Sequence, residues 1–242
     1  MSAHNPVEAY GFTNIPRAFS KILERVDAKN SKPLLVEDLP LPHSDEVAKK
    51  AHAYAKEHLP AQTFNHSMRV FMWGSALLQT HLPDLTASAS TASFLETFYL
   101  SCLLHDIGTT PTNLKATLMS FETYGGYLAL DLLQSWGASK AQAESVCECI
   151  VRHQDLGETG EITGVGGLVQ IVTLLDNIGG NIELIHQDTI DDVTKAYPRN
   201  GWTSCFASTI REEIGLKPWC HSTSIENFAG NVESNKVWPK YD

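Results

Sequence analysis

His66, the adjacent pair His105-Asp106, and Asp176 are the residues of this 242-residue chain whose types and spacing best support chemistry. They are separated by 39 residues (66 to 105) and by 70 residues (106 to 176). Two imidazoles and two carboxylates form a nitrogen and oxygen donor set that suits one divalent transition metal. Neighbouring helical residues diverge by about 100° and do not face one target, so an adjacent pair of ligands is best placed where a helix stops. Gly108 supplies that stop. Asp176 follows the apolar run Ile171-Val172-Thr173-Leu174-Leu175, where a carboxylate is expensive to bury unless it is paired or bound to metal. Only Arg69, Lys115 and Arg152 lie near these motifs, so a metal is the economical positive partner for Asp176. Taken singly, each residue reads as a hydrogen-bonded core histidine or a helix-end aspartate. Four metal-competent groups, each at a helix end or in apolar context, together favour a metal site.

The elements that must position these groups are helical. A cap at Ser44, followed by Asp45 and Glu46, predicts a helix that Pro60 ends. Apolar residues at Val70, Phe71, Trp73, Leu77 and Leu78 predict a second over 63–82, with His66 in its first turns. The stretch 84–93, rich in Ser, Thr and Ala, is predicted as an exposed connection. FLETFYLSCLLH, residues 94–105, is almost continuously apolar and reads as a central buried helix stopping at Asp106-Ile107-Gly108. Further helices are predicted over 120–136 and 140–153. A turn over 157–167 holding five glycines then leads into a helix over 168–177, closed by Gly179-Gly180. Shorter helices are predicted near 191–196 and 203–214. Residues 1–44 hold Pro6, Pro16, Pro33, Pro40 and Pro42, which predicts an extended segment lying over a helical domain of residues 45–242, with one short helix near 18–26. The expectation is one all-α domain.

Around the four chemical groups stand Tyr10-Gly11-Phe12, Asn65-His66-Ser67-Met68-Arg69-Val70-Phe71, Cys102-Leu103-Leu104-His105-Asp106-Ile107, Met119-Ser120-Phe121-Glu122, Tyr124-Gly125-Gly126, Arg152-His153-Gln154-Asp155-Leu156, Leu175-Asp176-Asn177-Ile178-Gly179 and Lys217-Pro218-Trp219. The H…HD…D pattern is the signature of the HD-domain superfamily, an all-helical metal-binding fold, and the whole set resembles the fungal cyanamide hydratases over residues 10–221. The resemblance implies a cytoplasmic metalloenzyme that adds water to cyanamide to give urea, with zinc as the first choice of metal and iron, manganese or cobalt as alternatives. It implies His66, His105, Asp106 and Asp176 as ligands, with Asp106 counted among the catalytic residues.

A bound ion lowers the pKa of water toward about 7 and polarises a substrate atom, the two changes that hydration of a nitrile needs. His153 is the candidate proton donor, because imidazole both gives and takes protons near neutral pH. The competing reading, a histidine capping the end of its own helix, carries equal weight. Asn65, Thr173 and Asn177, next to ligands or one turn away, are candidates for orienting ligands or binding the substrate amine. His186 and His221 lie in segments resembling the family. Lys217-Pro218-Trp219 reads either as a closure over the site or as core.

Eighteen Lys and Arg against 28 Asp and Glu give a net charge of −10, a poor match for nucleic acid or an anionic membrane. The longest apolar stretch, 164–175, is too short to span a bilayer, and the first residues carry no secretory pattern, so the cytosol is expected. Five cysteines, an odd number without a Cys-x-x-Cys pair, argue against a disulfide framework, and Cys147-x-Cys149 is too close for a zinc knuckle. An HD-type nucleotide or phosphate-ester phosphohydrolase is the enzyme alternative. It commonly places a lysine after HD-x-G, where this chain has Thr109, and no phosphate-binding glycine loop is present. A non-catalytic HD ligand-binding module is the other alternative, and it would tolerate loss of a ligand. The partner expected is therefore a small neutral molecule, with homo-oligomerisation expected from base rates alone.

Overall fold

A computed structural model of the chain describes residues 6–24, 26–43, 45–86 and 91–242. Among these residues it is all-α, apart from one two-stranded antiparallel ribbon. The N-terminal stretch carries helix α1 (Pro6–Ala9), strand β1 (Asn14–Pro16) and helix α2 (Phe19–Leu23). Strand β1 pairs with β2 (Glu161–Thr163), with Ile15 opposite Ile162. The proline-rich segment is therefore not merely extended: it contributes a strand, and its own Ala18 and Leu39 are buried.

Helix α3 (Glu46–His58) begins at Asp45, whose Oδ1 accepts from the amides of Val47 and Ala48 at 2.6 and 3.2 Å. Asp45 takes the capping role expected of Ser44, which lies outside the described residues. Helix α4 (Ala61–Thr80) is buried along most of its length, and α5 (Thr91–Leu104) buries every residue from Thr97 to Leu104. Of the connection expected at 84–93, residues 83–86 form a 3₁₀ turn, 87–90 lie outside the described residues, and α5 already starts at Thr91. The short helix α6 (Pro111–Lys115) follows the His-Asp turn, capped by Thr110. Helices α7 (Phe121–Trp136) and α8 (Lys140–Arg152) form the most extensive helix pair, and α8 also packs on α5.

Helix α9 (Gly164–Ile178) corrects one expectation, since Gly164, Gly166 and Gly167 belong to the helix and not to the turn before it. Thr163 caps its start by accepting from the Gly166 amide at 3.0 Å. The absence of side chains there admits the ribbon, because a Cβ on Gly167 would lie 2.5 Å from Ile15 Cδ1. Gly179 closes α9 at φ 75°, as expected of a glycine stop. Helices α10 (Gln187–Ala196), α11 (Trp202–Leu216) and α12 (Phe228–Glu233) complete the chain. The main core joins α3, α4, α5, α7, α8 and α9, and a smaller cluster of Trp202, Phe206, Ile210, Ala229 and Val232 lies between α11 and α12. No helix among the described residues is long and apolar enough to cross a membrane.

Gly108 brings the turn after α5 against the start of α7. A Cβ there would come 2.1 Å from the Phe121 carbonyl oxygen, a backbone atom that cannot swing aside. Gly108→Ala is expected to destabilise the fold by about 1–3 kcal/mol through overpacking, read as a lowered urea midpoint.

Candidate metal centre and adjoining cavity

Four helices bring the chemical groups together. His66 comes from the second turn of α4, His105-Asp106 from the end of α5, His153 from the end of α8, and Asp176 from the last turn of α9. All five side chains are buried. His66 Nδ1 lies 2.6 Å from Asp176 Oδ2, His105 Nδ1 lies 2.8 Å from the Cys102 carbonyl, and His153 Nδ1 lies 2.7 Å from the Ile150 carbonyl. Each Nδ1 faces an oxygen that only accepts, so each donates its proton there, and in the neutral ring each Nε2 presents a bare lone pair.

Those lone pairs converge. His66 Nε2 and His105 Nε2 are 3.1 Å apart, and Asp106 Oδ2 lies 3.7 Å from the first and 3.3 Å from the second. His153 Nε2 is 3.9 Å from Asp106 Oδ1. Among the described residues neither Asp106 oxygen nor His153 Nε2 has a hydrogen-bond partner, although all are buried. Acceptors crowded together in a dry interior repel one another unless a positive charge sits among them. The residues present therefore fit a cation, and His66, His105 and Asp106 offer three donor atoms within mutual reach of one ion.

Protonation follows the same demand. Burial pushes His66 and His153 down to about 4, so both are neutral imidazoles near pH 7. For His105 burial also disfavours the charge, but the Asp106 carboxylate outweighs it and the pKa rises. Asp106 in turn is held below the usual carboxylate range: burial opposes this, and His105 overcomes it.

Asp176 stands apart from this convergence. Arg69 Nε donates to its Oδ1 and Arg69 Nη2 to its Oδ2, each at 2.8 Å, Trp73 Nε1 donates to Oδ1 at 3.1 Å, and Arg199 Nη1 lies 3.3 Å away. Burial would raise its pKa, but Arg69 and then Arg199 hold it well below the usual range. The expectation that Asp176 lacks a basic partner is thus corrected: two buried guanidiniums supply the positive charge, and the carboxylate orients His66 through Nδ1. Arg69 was legible as a neighbour of His66 on one helix face, since positions 66, 69 and 73 share a stripe. Arg199 arrives from the loop before α11 and carries no spacing signal. Sequence reasoning also missed Trp202, whose ring stacks on His66 at 4.2 Å and whose indole donates to Asn177 Oδ1 at 2.9 Å.

A cavity of about 140 Å³ adjoins the cluster through His153. Gln154, Thr173, Asn177, Phe228 and Asn231 share its lining with aliphatic side chains. Thr173 and Asn177, expected at the substrate, therefore sit on its wall. Asn65 does not: its amide donates to the Pro198 carbonyl at 2.8 Å and holds the loop that delivers Arg199. His221 reaches the buried Glu122 at 2.7 Å, and His186 caps the start of α10. Lys217 is buried against Glu213 while Trp219 is largely exposed, so the Lys-Pro-Trp segment is neither wholly core nor a cover on the cavity wall.

Asp176→Asn is expected to lower stability at pH 7 by about 3–5 kcal/mol, because two buried guanidiniums lose their counter-charge. The folded pKa lies well below 3.8, so this contribution is fully present above that value and is lost as pH falls through the folded pKa. Urea unfolding of the metal-free protein between pH 7 and 3 should therefore show a constant gap between wild type and variant that narrows only at the acid end.

The HD domain family model matches residues 63–179, the span that contains all five groups. Two Saccharomyces cerevisiae proteins, cyanamide hydratase DDI2 and cyanamide hydratase DDI3, are each 40% identical to the chain over 228 residues, covering 93% of it and 96% of the relative. Near-complete coverage in both directions, over a chain whose helix ends assemble a buried His-His-Asp cation site, places this protein in the cyanamide hydratase family of HD-domain proteins.

Proposed function

We propose that the protein is a hydro-lyase that adds water to the nitrile of cyanamide and yields urea, with zinc as its ion, held by His66 Nε2, His105 Nε2 and an Asp106 oxygen. The observation that carries this reading is the convergence of bare Nε2 atoms and an unpartnered carboxylate beside a small, mainly apolar cavity. Kinship with the yeast cyanamide hydratases over nearly the whole chain supports the choice of substrate. When bound, a divalent ion supplies Lewis acidity that acidifies water and polarises the nitrile. Asp176 acts on the site through His66 and keeps its Nδ1 proton in place.

His153 moves the proton. Its Nε2 lone pair takes one proton from the attacking water as the C–O bond forms, then returns it to the nitrile nitrogen as C≡N becomes C=N. The isourea product shifts its remaining O–H proton to nitrogen and becomes urea, so protons balance without exchange with solvent. Thr173 donates its hydroxyl hydrogen to the Gln170 carbonyl at 3.1 Å, which leaves its oxygen to accept from the substrate amine. Asn177 uses Oδ1 for Trp202, and its amide hydrogens remain for the substrate. Arg69 and Arg199 are both engaged by Asp176, which disfavours a phosphate-ester substrate. The free cysteines suit a reducing compartment and support a cytoplasmic location. The exposed Leu118, Met119 and Trp219 support homo-oligomerisation.

Purified protein is expected to release urea from cyanamide and to carry one zinc per chain by elemental analysis. Chelation should abolish release and zinc should restore it, while His105→Ala should lose both metal and activity. Stoichiometric metal without urea would overturn the substrate assignment. His153→Gln is expected to keep its metal and to lose about 10²–10⁴ in kcat, the range for a general acid–base group. An unchanged kcat would remove His153 from the proton path.

A further inference from the structure

The N-terminal arm reaches the cavity through one guanidinium. After β1, the Arg17 amide donates to the Gly160 carbonyl at 3.1 Å, which keeps the arm on the loop between α8 and β2. The Arg17 side chain then grips the same loop three times. Its Nε donates to the Asp155 carbonyl at 2.8 Å, and its Nη2 donates to the Leu156 carbonyl at 2.9 Å and to Asp155 Oδ1 at 2.5 Å. Gly157 leaves room for the plane of the group, since a Cβ there would lie 2.6 Å from Arg17 Cζ. From the other side, Gln170 Nε2 donates to the carbonyls of Arg152 and Asp155 at 2.6 and 3.1 Å. The gripped loop follows directly on His153 and carries Gln154 and Leu156, two residues of the cavity wall.

We propose that Arg17 is a positioning residue for substrate binding: by tying the carbonyls of Asp155 and Leu156 to the N-terminal arm, it sets the cavity wall formed by Gln154 and Leu156. A planar fork is required, because one ammonium group cannot meet three acceptors in this geometry. The inference takes its assay from the cyanamide reading and makes no claim on the metal ligands.

The test compares zinc-loaded wild type with Arg17→Ala, Arg17→Lys and Gly157→Ala, measuring kcat, KM for cyanamide, bound metal, and cleavage after the exposed Glu158 by a glutamyl endopeptidase. Arg17→Ala is expected to raise KM about tenfold with kcat within about twofold, because it disturbs ground-state placement and not the reacting groups. Metal content should stay unchanged and cleavage after Glu158 should quicken. Arg17→Lys should leave KM raised. Gly157→Ala, which displaces the guanidinium without removing it, should shift KM in the same direction. Faster cleavage with KM unchanged would overturn the proposal and reduce Arg17 to a loop anchor, and so would variants indistinguishable from wild type in both readouts. Wild type inactive on cyanamide would instead refute the reaction assignment, an outcome separate from any difference among the variants.

Discussion

The structure turns on a concentration of electron pairs in a dry place. Three imidazole nitrogens and a carboxylate point at one another from the ends and turns of three helices, and among the described residues none donates a hydrogen bond to the Asp106 oxygens or to His153 Nε2. Such an arrangement is unfavourable unless a cation is present, so the fold holds it by fixing every ring from behind. A backbone carbonyl one turn back orients His105 and another orients His153, while a carboxylate orients His66. That carboxylate would be a second unfavourable charge, and Arg69 with Arg199 neutralises it. The site therefore has two electrostatic layers: an inner one that calls for a metal and an outer one closed by the protein itself.

Much of this was legible in the chain. The pair at 105–106 required a helix stop, and the structure ends α5 at Leu104. The apolar context of Asp176 correctly signalled a need for positive charge. What the sequence could not say was which charge would come, because Arg199 arrives from a loop whose position depends on tertiary packing. His153 shows a different limit. The helix-end and site readings competed on equal terms, and both describe the ring: Nδ1 binds the Ile150 carbonyl of its own helix while Nε2 faces Asp106. The glycines before residue 168 were read as a turn because glycine is a poor helix former. Three of them, Gly164, Gly166 and Gly167, lie in α9, where the adjacent ribbon leaves no room for a Cβ on Gly167. Strand β1 escaped notice because three residues ending in a proline carry no alternating pattern.

The cavity links this electrostatics to chemistry. It meets the cluster at His153, so a molecule bound there touches the one imidazole that is outside the closest trio of donor atoms. Its lining is mainly aliphatic and aromatic, with Thr173, Asn177, Gln154 and Asn231 as polar contacts, a composition matched to a small uncharged substrate. Helices α11 and α12 complete this side through their own aromatic cluster, with Trp202 stacked on His66 and Phe228 on the cavity wall. The C-terminal elements thus belong to the site as much as the HD segment does.

The most direct test of this account is anomalous diffraction at the metal edge from crystals of the protein as purified. One peak is predicted, about 2.0–2.2 Å from Nε2 of His66, from Nε2 of His105 and from an Asp106 oxygen, with Asp176 still held by its two arginines and outside the coordination sphere. A peak coordinated by the Asp176 carboxylate would contradict the two-layer arrangement, and the absence of any peak would contradict the cation site itself.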